Sequence, residues 1–561
     1  MAGVKVGTIT APTIIQSKAY TGVGFEPGSI VLLTSRQNST SPQSVHATLH
    51  MGAADLSNSF AASFSSESPA ANSNTRRIMK TGVVISTPSP SADTIIDEAT
   101  LASFDSDGFT LDHTIVSTDG SAGLDYHYIA FATGLSVKVG TFDLNASLGA
   151  QSVTGIGFQP KAMIFVWSRD DTTSGLEANG SFGLGAATSS TQEWAWSGVD
   201  TDSLASSDNS RYLANANCIV VASTSAVTAA ADFTSMDSNG FTINVNTAPA
   251  AAFTVGYIAL GGSTLTAFAS TFTQRTSVGT KSETGVGFLP NSLLFGGTVV
   301  TANSVTANLI GCIGATSGTT SEGYIATSCN DAEPTMDNGR NYSSSHCVGV
   351  CDFNGAPVAR AELSSFDADG FTVNWTDADS TARIFGYLAL GIPEAPVAMS
   401  SNDTLCWFTP QMNEAPQSNY ATLDLRNGHL VLDFDDSTQE TAMFSAVMPR
   451  AYAGNGVTVY LHWGATTAIV GTGGWDVSFE QISDSAQDID SDGFATAQTV
   501  TAATVPGTSG QFKITSVAIT DGANMDSVTA GEGFRIRIRR DVASDTAVGD
   551  LELMYVEIKE T

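Results

Sequence analysis

Basic residues are scarce in this chain. Its 561 residues include 23 lysines and arginines against 55 aspartates and glutamates, which gives a formal net charge of −32. A protein with this balance repels nucleic-acid phosphates and anionic lipid surfaces. We therefore expect no nucleic-acid partner and no membrane insertion.

Cysteines and long apolar runs are also few. Six cysteines and no CxxC pair argue against a disulfide scaffold and favour buried thiols. No run approaches the roughly 18 apolar residues of a transmembrane helix. The N-terminal stretch MAGVKVGTITAPTII lacks the basic and apolar regions of a signal peptide. If the protein reaches the outside of a cell, we expect another route, such as assembly into a virus particle followed by lysis.

The familiar catalytic motifs are missing as well. The sequence contains no Gly-x-Ser-x-Gly elbow, no Walker loop and no dinucleotide fingerprint in a βαβ setting. A polysaccharide hydrolase would need two carboxylates at roughly 5–9.5 Å. Among 55 acidic residues such a pair can arise by chance, so a hydrolase stays open as a lesser alternative. We expect a protein that is not an enzyme.

What the chain does contain is an internal repeat. The pattern Thr-Gly-x-Gly-Phe-x-Pro occurs at residues 21–27, 154–160 and 284–290. A second pattern keeps the same spacing, as FDSDGFTL from Phe104, MDSNGFTI from Met236 and FDADGFTV from Phe366. Repeats of about 130 residues suit single compact domains. We predict three homologous domains, at residues 1–135, 136–263 and 264–392.

Each repeat has the pattern of β structure. The Pro of the first motif precedes a short apolar run such as GSIVLLTS, which is typical of a buried strand. The Asp-Gly or Asn-Gly of the second motif favours a hairpin turn. The fold class predicted is all-β, with three tandem β-sandwich domains. The glycines predicted to form structural turns are Gly22, Gly24, Gly155, Gly157, Gly285, Gly287, Gly108, Gly240 and Gly370.

The repeat ends near Gly391, and residues 393–561 follow a different pattern. A linker is predicted from Ile392 to Thr404, since the stretch contains two prolines and small polar residues. Beyond it, runs such as GEGFRIRIRRD alternate apolar and charged residues, as half-buried strands do. We predict about eight strands in a jelly-roll-like β-sandwich.

Two short stretches carry acidic residues in a spacing that resembles a calcium loop. DSDG in the repeats supplies two carboxylates but lacks the glutamate that an EF-hand places at position 12, which favours a turn. DIDSDGFATAQT fits better, with Asp488, Asp490 and Asp492 at positions 1, 3 and 5, but position 12 is Thr499. We expect no cofactor beyond weakly bound calcium at these three aspartates, with a solvated acidic loop as the favoured alternative.

Two tryptophans are the candidate sugar-binding residues. Trp194 and Trp196 lie in QEWAWSG, where strand alternation puts both on one face. Exposed indoles can stack on the CH groups of a pyranose, because the ring face is electronegative. Core packing is the alternative, and the pattern favours it.

The two kinds of segment also resemble known virus proteins. The C-terminal stretches DFDDSTQETAMFSAVMPRAYAGNGVTVYLHWGA and WDVSFEQISDSAQDIDSDGFATAQT are similar to a β-sandwich family found in structural genes of tailed phages and in environmental virus sequences. The repeat units, such as GFQPKAMIFVWS, resemble another module from the same kind of gene. These motifs are turns and strands, and they carry over no catalytic residues.

The resemblance implies a virion structural protein. The expected function is an appendage, either a tail fibre or a head fibre or capsid decoration, which would be assembled in the host cytoplasm and extracellular after lysis. The expected partners are the chain itself in a homotrimer, other capsid or tail proteins, and host surface glycans. A glycan-binding adhesin is the alternative function.

Overall fold

The protein is described from a computed structural model, which covers residues 3–39, 42–117, 123–169, 175–392, 403–467, 470–483 and 488–561. These residues form β-strands and two short 3-10 helices, Pro410–Met412 and Ala523–Met525. The all-β prediction is confirmed. None of the described helices is long or apolar enough to cross a membrane. Most of the predicted linker, residues 393–402, lies outside the described residues.

The three repeats contribute eleven strands each. The first repeat contains β1 Val4–Thr10, β2 Gln16–Thr21, β3 Pro27–Thr34, β4 Gln43–Val45, β5 Ala47–Asp55, β6 Ser59–Ser66, β7 Thr75–Thr81, β8 Ile85–Pro88, β9 Ile95–Asp105, β10 Gly108–Ile115 and β11 Asp125–Ala132. The second contains β12 Ser136–Leu144, β13 Gly149–Thr154, β14 Pro160–Trp167, β15 Glu177–Ala178, β16 Gly180–Ser189, β17 Gln192–Asp200, β18 Asn209–Ala214, β19 Ile219–Ala222, β20 Val227–Asp237, β21 Gly240–Thr247 and β22 Phe253–Gly261. The third contains β23 Thr266–Thr273, β24 Gly279–Thr284, β25 Ser292–Gly297, β26 Thr306–Ala307, β27 Leu309–Thr316, β28 Glu322–Cys329, β29 Asn338–Ser343, β30 Val348–Cys351, β31 Pro357–Asp367, β32 Gly370–Asp377 and β33 Ile384–Gly391.

The C-terminal segment contributes ten more strands. They are β34 Thr404–Phe408, β35 Thr422–Arg426, β36 His429–Phe434, β37 Thr441–Val447, β38 Val457–Ala465, β39 Thr472–Ile482, β40 Gln498–Thr504, β41 Lys513–Ile519, β42 Gly533–Arg540 and β43 Leu551–Glu560.

Every repeat builds one seven-stranded and one four-stranded sheet. In the first repeat the orders are β1-β11-β3-β5-β6-β7-β15 and β2-β10-β9-β8. The second and third repeats have the same orders in their own strands, and all of these pairings are antiparallel. In each case the last strand of the larger sheet comes from a different repeat.

The donated strands close the three repeats into a cycle. β15 of the second repeat pairs with β7 of the first, and β26 of the third repeat pairs with β18 of the second. β4 of the first repeat then pairs with β29 of the third. The chain contacts accordingly group Met1–Glu394 into one compact unit, with Ala395–Thr561 as the other. Each large sheet in the first unit is therefore complete only with a strand from its neighbour.

An arginine side chain holds each donated strand. Arg77 on β7 donates hydrogen bonds to the carbonyls of Ala178 and Asn179, at 2.5 and 2.7 Å. Arg211 on β18 donates to the carbonyls of Ala307 and Asn308. In the third pairing, Arg340 on β29 donates instead to the hydroxyls of Ser44 and Thr48, at 2.9 and 3.2 Å.

Both faces of the seven-stranded sheets are buried. One face packs on the four-stranded sheet of the same repeat and forms a separate apolar core in each sandwich. The other face contributes to a single core shared by all three repeats, which includes Leu49, Trp196 and Leu309. This explains why strands such as β16 and β28 read as runs of buried residues without polar alternation.

Two of the contacts between repeats place a large ring against a glycine. A Cβ added to Gly256 of the second repeat would lie 2.5 Å from the ring of Phe60 in the first. A Cβ added to Gly386 of the third repeat would lie 2.1 Å from the indole of Trp194 in the second. These rings occupy the space that a side chain would need, so the glycines are required by packing.

The third contact reverses this arrangement. Strand register makes Gly323 on β28 the equivalent of Phe60 and Trp194. Opposite it, the position equivalent to Gly256 and Gly386 is occupied by His127, whose Nδ1 would lie 2.3 Å from a Cβ on Gly323. The His127 ring also stacks on Tyr342, with centroids 4.6 Å apart. At the third contact, the large residue His127 is on the side where the other two contacts have a glycine. Gly323 is on the side where they have a ring.

The C-terminal unit is a two-sheet sandwich. One sheet follows the order β35-β36-β43-β38-β41, with β34 also paired to β43, and the other follows β37-β42-β39-β40. Their facing sides enclose one apolar core that includes Trp463 and Trp475. Arg540 is fully buried beside this core and donates to Asp545 at 2.6 Å and to the Phe434 carbonyl at 2.9 Å.

Candidate functional site

The two recurring motifs of the sequence meet in the structure. Asp107, in the second motif, accepts hydrogen bonds from the backbone N–H groups of Gly22 at 3.0 Å and Gly24 at 2.6 Å. In the third repeat Asp369 accepts from Gly285 at 3.1 Å and Gly287 at 2.6 Å. The carboxylate therefore fixes the first turn.

The second repeat has an amide where the others have a carboxylate. Asn239 Oδ1 accepts from the N–H of Gly157 at 2.6 Å, and the Asn239 carbonyl accepts from Gly155 at 3.0 Å. An amide oxygen lacks the charge of a carboxylate but is still a good acceptor for backbone N–H groups. The asparagine at position 239 therefore keeps the N–H acceptor that a structural role of this side chain requires.

The motif glycines meet two different backbone requirements. Gly22 and Gly24 both have φ of 90°, and the equivalent Gly155, Gly157, Gly285 and Gly287 lie between 84° and 92°. At Gly108, Gly240 and Gly370 the constraint is space, since a Cβ would lie 1.9 to 2.0 Å from a carbonyl oxygen of the neighbouring strand. In these turns the glycines position backbone groups.

The other acidic residue of the second motif is also occupied. Asp105 accepts from the hydroxyls of Ser103 and Thr110, both at 2.8 Å. Asp237 and Asp367 accept from the equivalent serine and threonine side chains at 2.7 Å. The first carboxylate of each motif is thus satisfied by donors from its own hairpin, while Asp107 and Asp369 accept from the glycines of the first motif.

The better calcium candidate forms an exposed turn. The Asp488 carbonyl accepts from the N–H groups of Ser491 at 2.9 Å and Asp492 at 2.8 Å, while its Oδ1 accepts from Asp490 at 3.1 Å. Within the described residues, which leave out 484–487, no three His, Cys, Asp or Glu side chains converge as metal ligands would. Weak calcium binding at Asp488, Asp490 and Asp492 therefore stays a prediction.

Trp194 and Trp196 lie in the shared core of the three repeats. Both side chains are fully buried, and Trp194 Nε1 donates to the Tyr387 carbonyl at 2.8 Å. A buried indole offers no face to a pyranose, so the predicted sugar contact at these residues is wrong. The strand alternation that suggested a common face reflects burial between sheets.

Three buried carboxyl groups in the first unit have perturbed pKa values. Burial raises the pKa of Asp200, Glu193 and Glu322 to about 7 in each case. Glu193 accepts from the Phe233 N–H at 2.8 Å, and Glu322 accepts from the Leu363 N–H at 2.9 Å. These two groups join the sheets of their sandwiches, so their pKa values report on packing.

Two polar cavities with charged linings lie along the boundaries between repeats. One, of about 200 Å³, is lined by Arg36, Asp97 and Arg340, and a second, of about 380 Å³, by Arg77 and Asp200. Arg36 pairs with Asp97 at 2.8 Å, with both side chains buried. Arg77 and Arg340 hold the donated strands, so the charged lining of both cavities serves the fold.

The C-terminal unit carries an aromatic surface that sequence reasoning missed. All seven tryptophans lie in the described residues, and six are fully buried, whereas Trp407 is 61% exposed. Tyr555, on the adjacent strand, is 43% exposed. Single exposed apolar side chains are common, whereas two exposed rings on adjacent strands form a candidate contact surface.

Strand pairing brings these rings together. Trp407 on β34 pairs with Glu557 on β43, and Glu557 pairs with Tyr460 on β38. Tyr555 precedes Glu557 by two residues and pairs with His462. Because alternate residues of a strand share one face, these five side chains form one surface, which we call the aromatic face.

A shallow cavity of about 230 Å³ lies on the aromatic face. Its lining residues are Thr404, Trp407, His462, Tyr555, Val556 and Glu557. The Tyr555 and His462 rings meet edge to face, with centroids 6.0 Å apart. The Thr404 hydroxyl donates to Glu557 at 2.7 Å. The cavity thus combines two aromatic walls with a hydroxyl, a carboxylate and an imidazole.

The sequence signal for Trp407 is misleading. Its neighbours Leu405 and Phe408 are both buried, so TLCWF has the composition of a core strand. A register shift between Thr404 and Cys406 breaks the simple alternation. The shift arises where β34 pairs with β43, more than 140 residues away in the chain, so the local sequence does not reveal it.

Comparisons with known proteins give little further information. No family model and no curated protein matches the chain. Among solved structures, a tandem CBM22 pair from Paenibacillus barcinonensis Xyn10C is 11% identical, with TM-score 0.22, over 54% of this chain and 92% of that one. The insecticidal delta-endotoxin Cry8Ea1 of Bacillus thuringiensis is 8% identical, with TM-score 0.18, over 73% and 54%.

A third solved structure is of viral origin. The VP2 subviral particle of infectious bursal disease virus is 10% identical, with TM-score 0.16, over 75% of this chain and 71% of that one. At TM-scores this low, none of these likenesses carries an inference about function.

Proposed function

We propose that this protein is a non-enzymatic structural protein of a tailed-phage particle, forming a tail fibre, a head fibre or another capsid decoration. The resemblance of its repeats and C-terminal stretches to phage structural modules supports this function. So does the way the motif residues are used, since Asp107, Asp369 and their glycine partners are engaged in turns.

The observation that carries the proposal is the closed exchange of strands among the three repeats. Each large sheet takes its last strand from the neighbouring repeat, and the exchange returns from the third repeat to the first. A unit closed in this way leaves those edges paired and resists pulling apart, as a component exposed on a particle must.

Particle composition tests the proposal directly. Phage particles purified by density gradient from the host of this gene should contain peptides of the chain at a fixed copy number. Antibody against the chain should label one fixed location by electron microscopy, on the head for a decoration or on the tail for a fibre. Absence of the chain from purified, infectious particles would overturn the proposal.

The oligomeric state is a separate part of the proposal. We infer a homotrimer for the assembled appendage, as expected from the sequence, with other capsid or tail proteins as further partners. Repeated domains can share apolar faces between the chains of a symmetric trimer, and residues 1–392 already share a core among three repeats within one chain. Light scattering of the full chain should give three times 58.0 kDa for a homotrimer. A mass of 58.0 kDa would mean that the protein is a monomer, and that the threefold arrangement is the one among its own three repeats.

A glycan-binding adhesin is the second candidate function, and the exposed Trp407 and Tyr555 of the aromatic face favour it. It is compatible with the first, because a particle appendage can also contact host surface glycans. A hydrolase is the lesser alternative. Incubation with host capsule polysaccharide should release no new reducing ends, and release that depends on one carboxylate would require an enzymatic function instead.

A further inference from the structure

We propose that the aromatic face of the C-terminal unit binds a neutral saccharide chain, whose pyranose rings stack on Trp407 and Tyr555. The inference goes beyond the virion role, because it assigns a ligand to a specific surface and does not depend on where the chain resides.

Exposure identifies the residues that make contact. Six of the seven tryptophans are fully buried in the two units, and Trp407 alone is 61% exposed. It lies beside Tyr555, which is 43% exposed, on adjacent strands of one sheet. Two neighbouring rings with open faces match the apolar CH faces of successive sugar rings, since an aromatic face is electronegative and a CH group is weakly positive.

Polar groups lie where a stacked sugar would present its hydroxyls. Glu557 lies across the strands from both Trp407 and Tyr460. Its carboxylate accepts from the Thr404 hydroxyl at 2.7 Å and lies 3.5 Å from the Lys559 ammonium. The His462 ring lies at the edge of Tyr555. Sites for small polar ligands combine apolar walls with a few such directional groups.

The size of the surface favours a sugar over a protein. The cavity is lined by six residues and encloses about 230 Å³, whereas a stable protein partner covers roughly 20–30 residues on each side. This cavity suits one or two sugar rings of a longer chain lying across the sheet.

Charge favours a neutral sugar over an anionic one. The chain carries a formal net charge of −32. Glu557 forms an ion pair with Lys559, two residues along the same strand, at 3.5 Å, so it is the overall charge of the chain that would repel sialylated, sulfated or phosphorylated glycans. The ligand class is therefore an uncharged hexopyranose oligosaccharide.

Tryptophan fluorescence of the full chain provides the test, because Trp407 is the exposed emitter. The probes are hexasaccharides of β-1,4-glucose, β-1,3-glucose, α-mannose and β-1,4-N-acetylglucosamine, with oligogalacturonate as the anionic comparison. At least one neutral probe should shift the emission to shorter wavelength in a saturable way and protect Trp407 from acrylamide quenching. Oligogalacturonate should do neither.

Variants locate the effect on the aromatic face. Binding, measured by calorimetry with the active probe, should weaken about tenfold or more in W407A and in Y555A, and less in W407F, which keeps a ring. Y420A removes an exposed tyrosine (49%) elsewhere in the same unit and should bind normally. Circular dichroism melting of each variant verifies its fold.

Three results would overturn the inference. The first is that none of the four neutral probes changes the emission or heat signal at millimolar concentration. The second is that W407A and Y555A bind as tightly as the parent chain. The third is that the parent chain self-associates in sedimentation and W407A does not, which would make the aromatic face an interface between copies. Each differs from absence of the chain in particles, which would overturn only the virion role.

Discussion

The indole of Trp194 lies against the backbone of Gly386 in the next repeat, so close that a Cβ at Gly386 would be 2.1 Å from Cδ2 of the ring. The same indole donates its N–H to the carbonyl of Tyr387, at 2.8 Å. Contact and hydrogen bond together fix one repeat on the other. The contact therefore orders two segments that lie almost 200 residues apart in the chain.

Gly386→Val should destabilise the first unit strongly. The new side chain would force the Trp194 ring or the β33 backbone to move, and overpacking of this kind typically costs about 1–3 kcal/mol. Urea unfolding of the full chain, followed by circular dichroism, measures the loss. Gly134→Ala is the control, since Gly134 has open space around its α-carbon and should change stability by less than about 0.5 kcal/mol. Equal effects of the two substitutions would contradict the packing requirement.

The reversed arrangement at the third contact predicts that a second substitution will restore part of the stability that a first one removes. Gly323→Phe alone should destabilise the fold, because a Cβ there already meets His127 at 2.3 Å. Adding His127→Gly recreates the arrangement of Phe60 on Gly256, so part of the loss should return. A double-mutant cycle should give a favourable coupling of about 1 kcal/mol or more. Simple additivity of the two substitutions would show that the sides of this contact are not complementary.

Asp107→Ala should destabilise the first repeat by about 0.5–1.5 kcal/mol, since it removes the acceptor of the exposed N–H groups of Gly22 and Gly24, which water then replaces in part. The chain supplies its own matched control, because Asn239 fills this position in the second repeat. Asp107→Asn should therefore cost clearly less than Asp107→Ala in thermal unfolding. If the asparagine variant were the worse of the two, the proposed use of the side chain as an N–H acceptor would be wrong.

Asp200 should make stability depend on pH. Burial raises its pKa from 3.8 to about 7, with Asp202 and Asp208 adding to the rise and hydrogen bonds from Ser66 and Asn209 partly offsetting it. Because the folded state holds the proton more tightly, this group stabilises the fold fully below pH 3.8. Its contribution falls as pH rises toward about 7 and is constant above.

Asp200→Asn isolates that contribution. The stability of the variant relative to the parent chain should increase between pH 4 and 7, by on the order of 2–4 kcal/mol, and then level off. Urea unfolding of both proteins at several pH values measures the difference, in which the other carboxylates largely cancel. A difference that is flat across this range would mean that Asp200 titrates normally in the folded protein.

Arg211→Met should loosen the strand that the third repeat donates. The guanidinium holds the carbonyls of Ala307 and Asn308, and methionine keeps much of the side-chain volume without donating to them. Amide hydrogen exchange around Thr306 should become faster, while exchange in β42 of the C-terminal unit stays unchanged. Protection of the donated strand equal to that of the parent chain would show that backbone pairing alone holds it.

The sequence predicts the strands well because each repeat supplies the same local signals three times. The apolar runs after Pro27, Pro160 and Pro290 mark buried strands, and the glycines of the two motifs mark turns. The contact between the motifs could not be predicted. It depends on Asp107 and Gly24, which lie 83 residues apart and meet only when β2 pairs with β10.

The exchange of strands was beyond sequence reasoning for a different reason. The donated strands β15 and β26 are two residues long and β4 is three, which is too short for any alternation to be visible. Sugar contact at Trp194 and Trp196 was a wrong prediction for a related reason. An alternating pattern shows that Trp194 and Trp196 share a face, but it cannot show that the face is covered by other repeats, nor that Trp407 is left uncovered.

The cyclic exchange of strands β4, β15 and β26 also limits how the number of repeats in this gene can change. An open array of modules can gain or lose a member at either end, whereas deletion of one module here would leave an acceptor edge empty and a donor with nowhere to pair. Duplication of one repeat would interrupt the cyclic strand pairing in the same way. We therefore expect the number of repeats to stay at three and variation in length to fall in the surface loops.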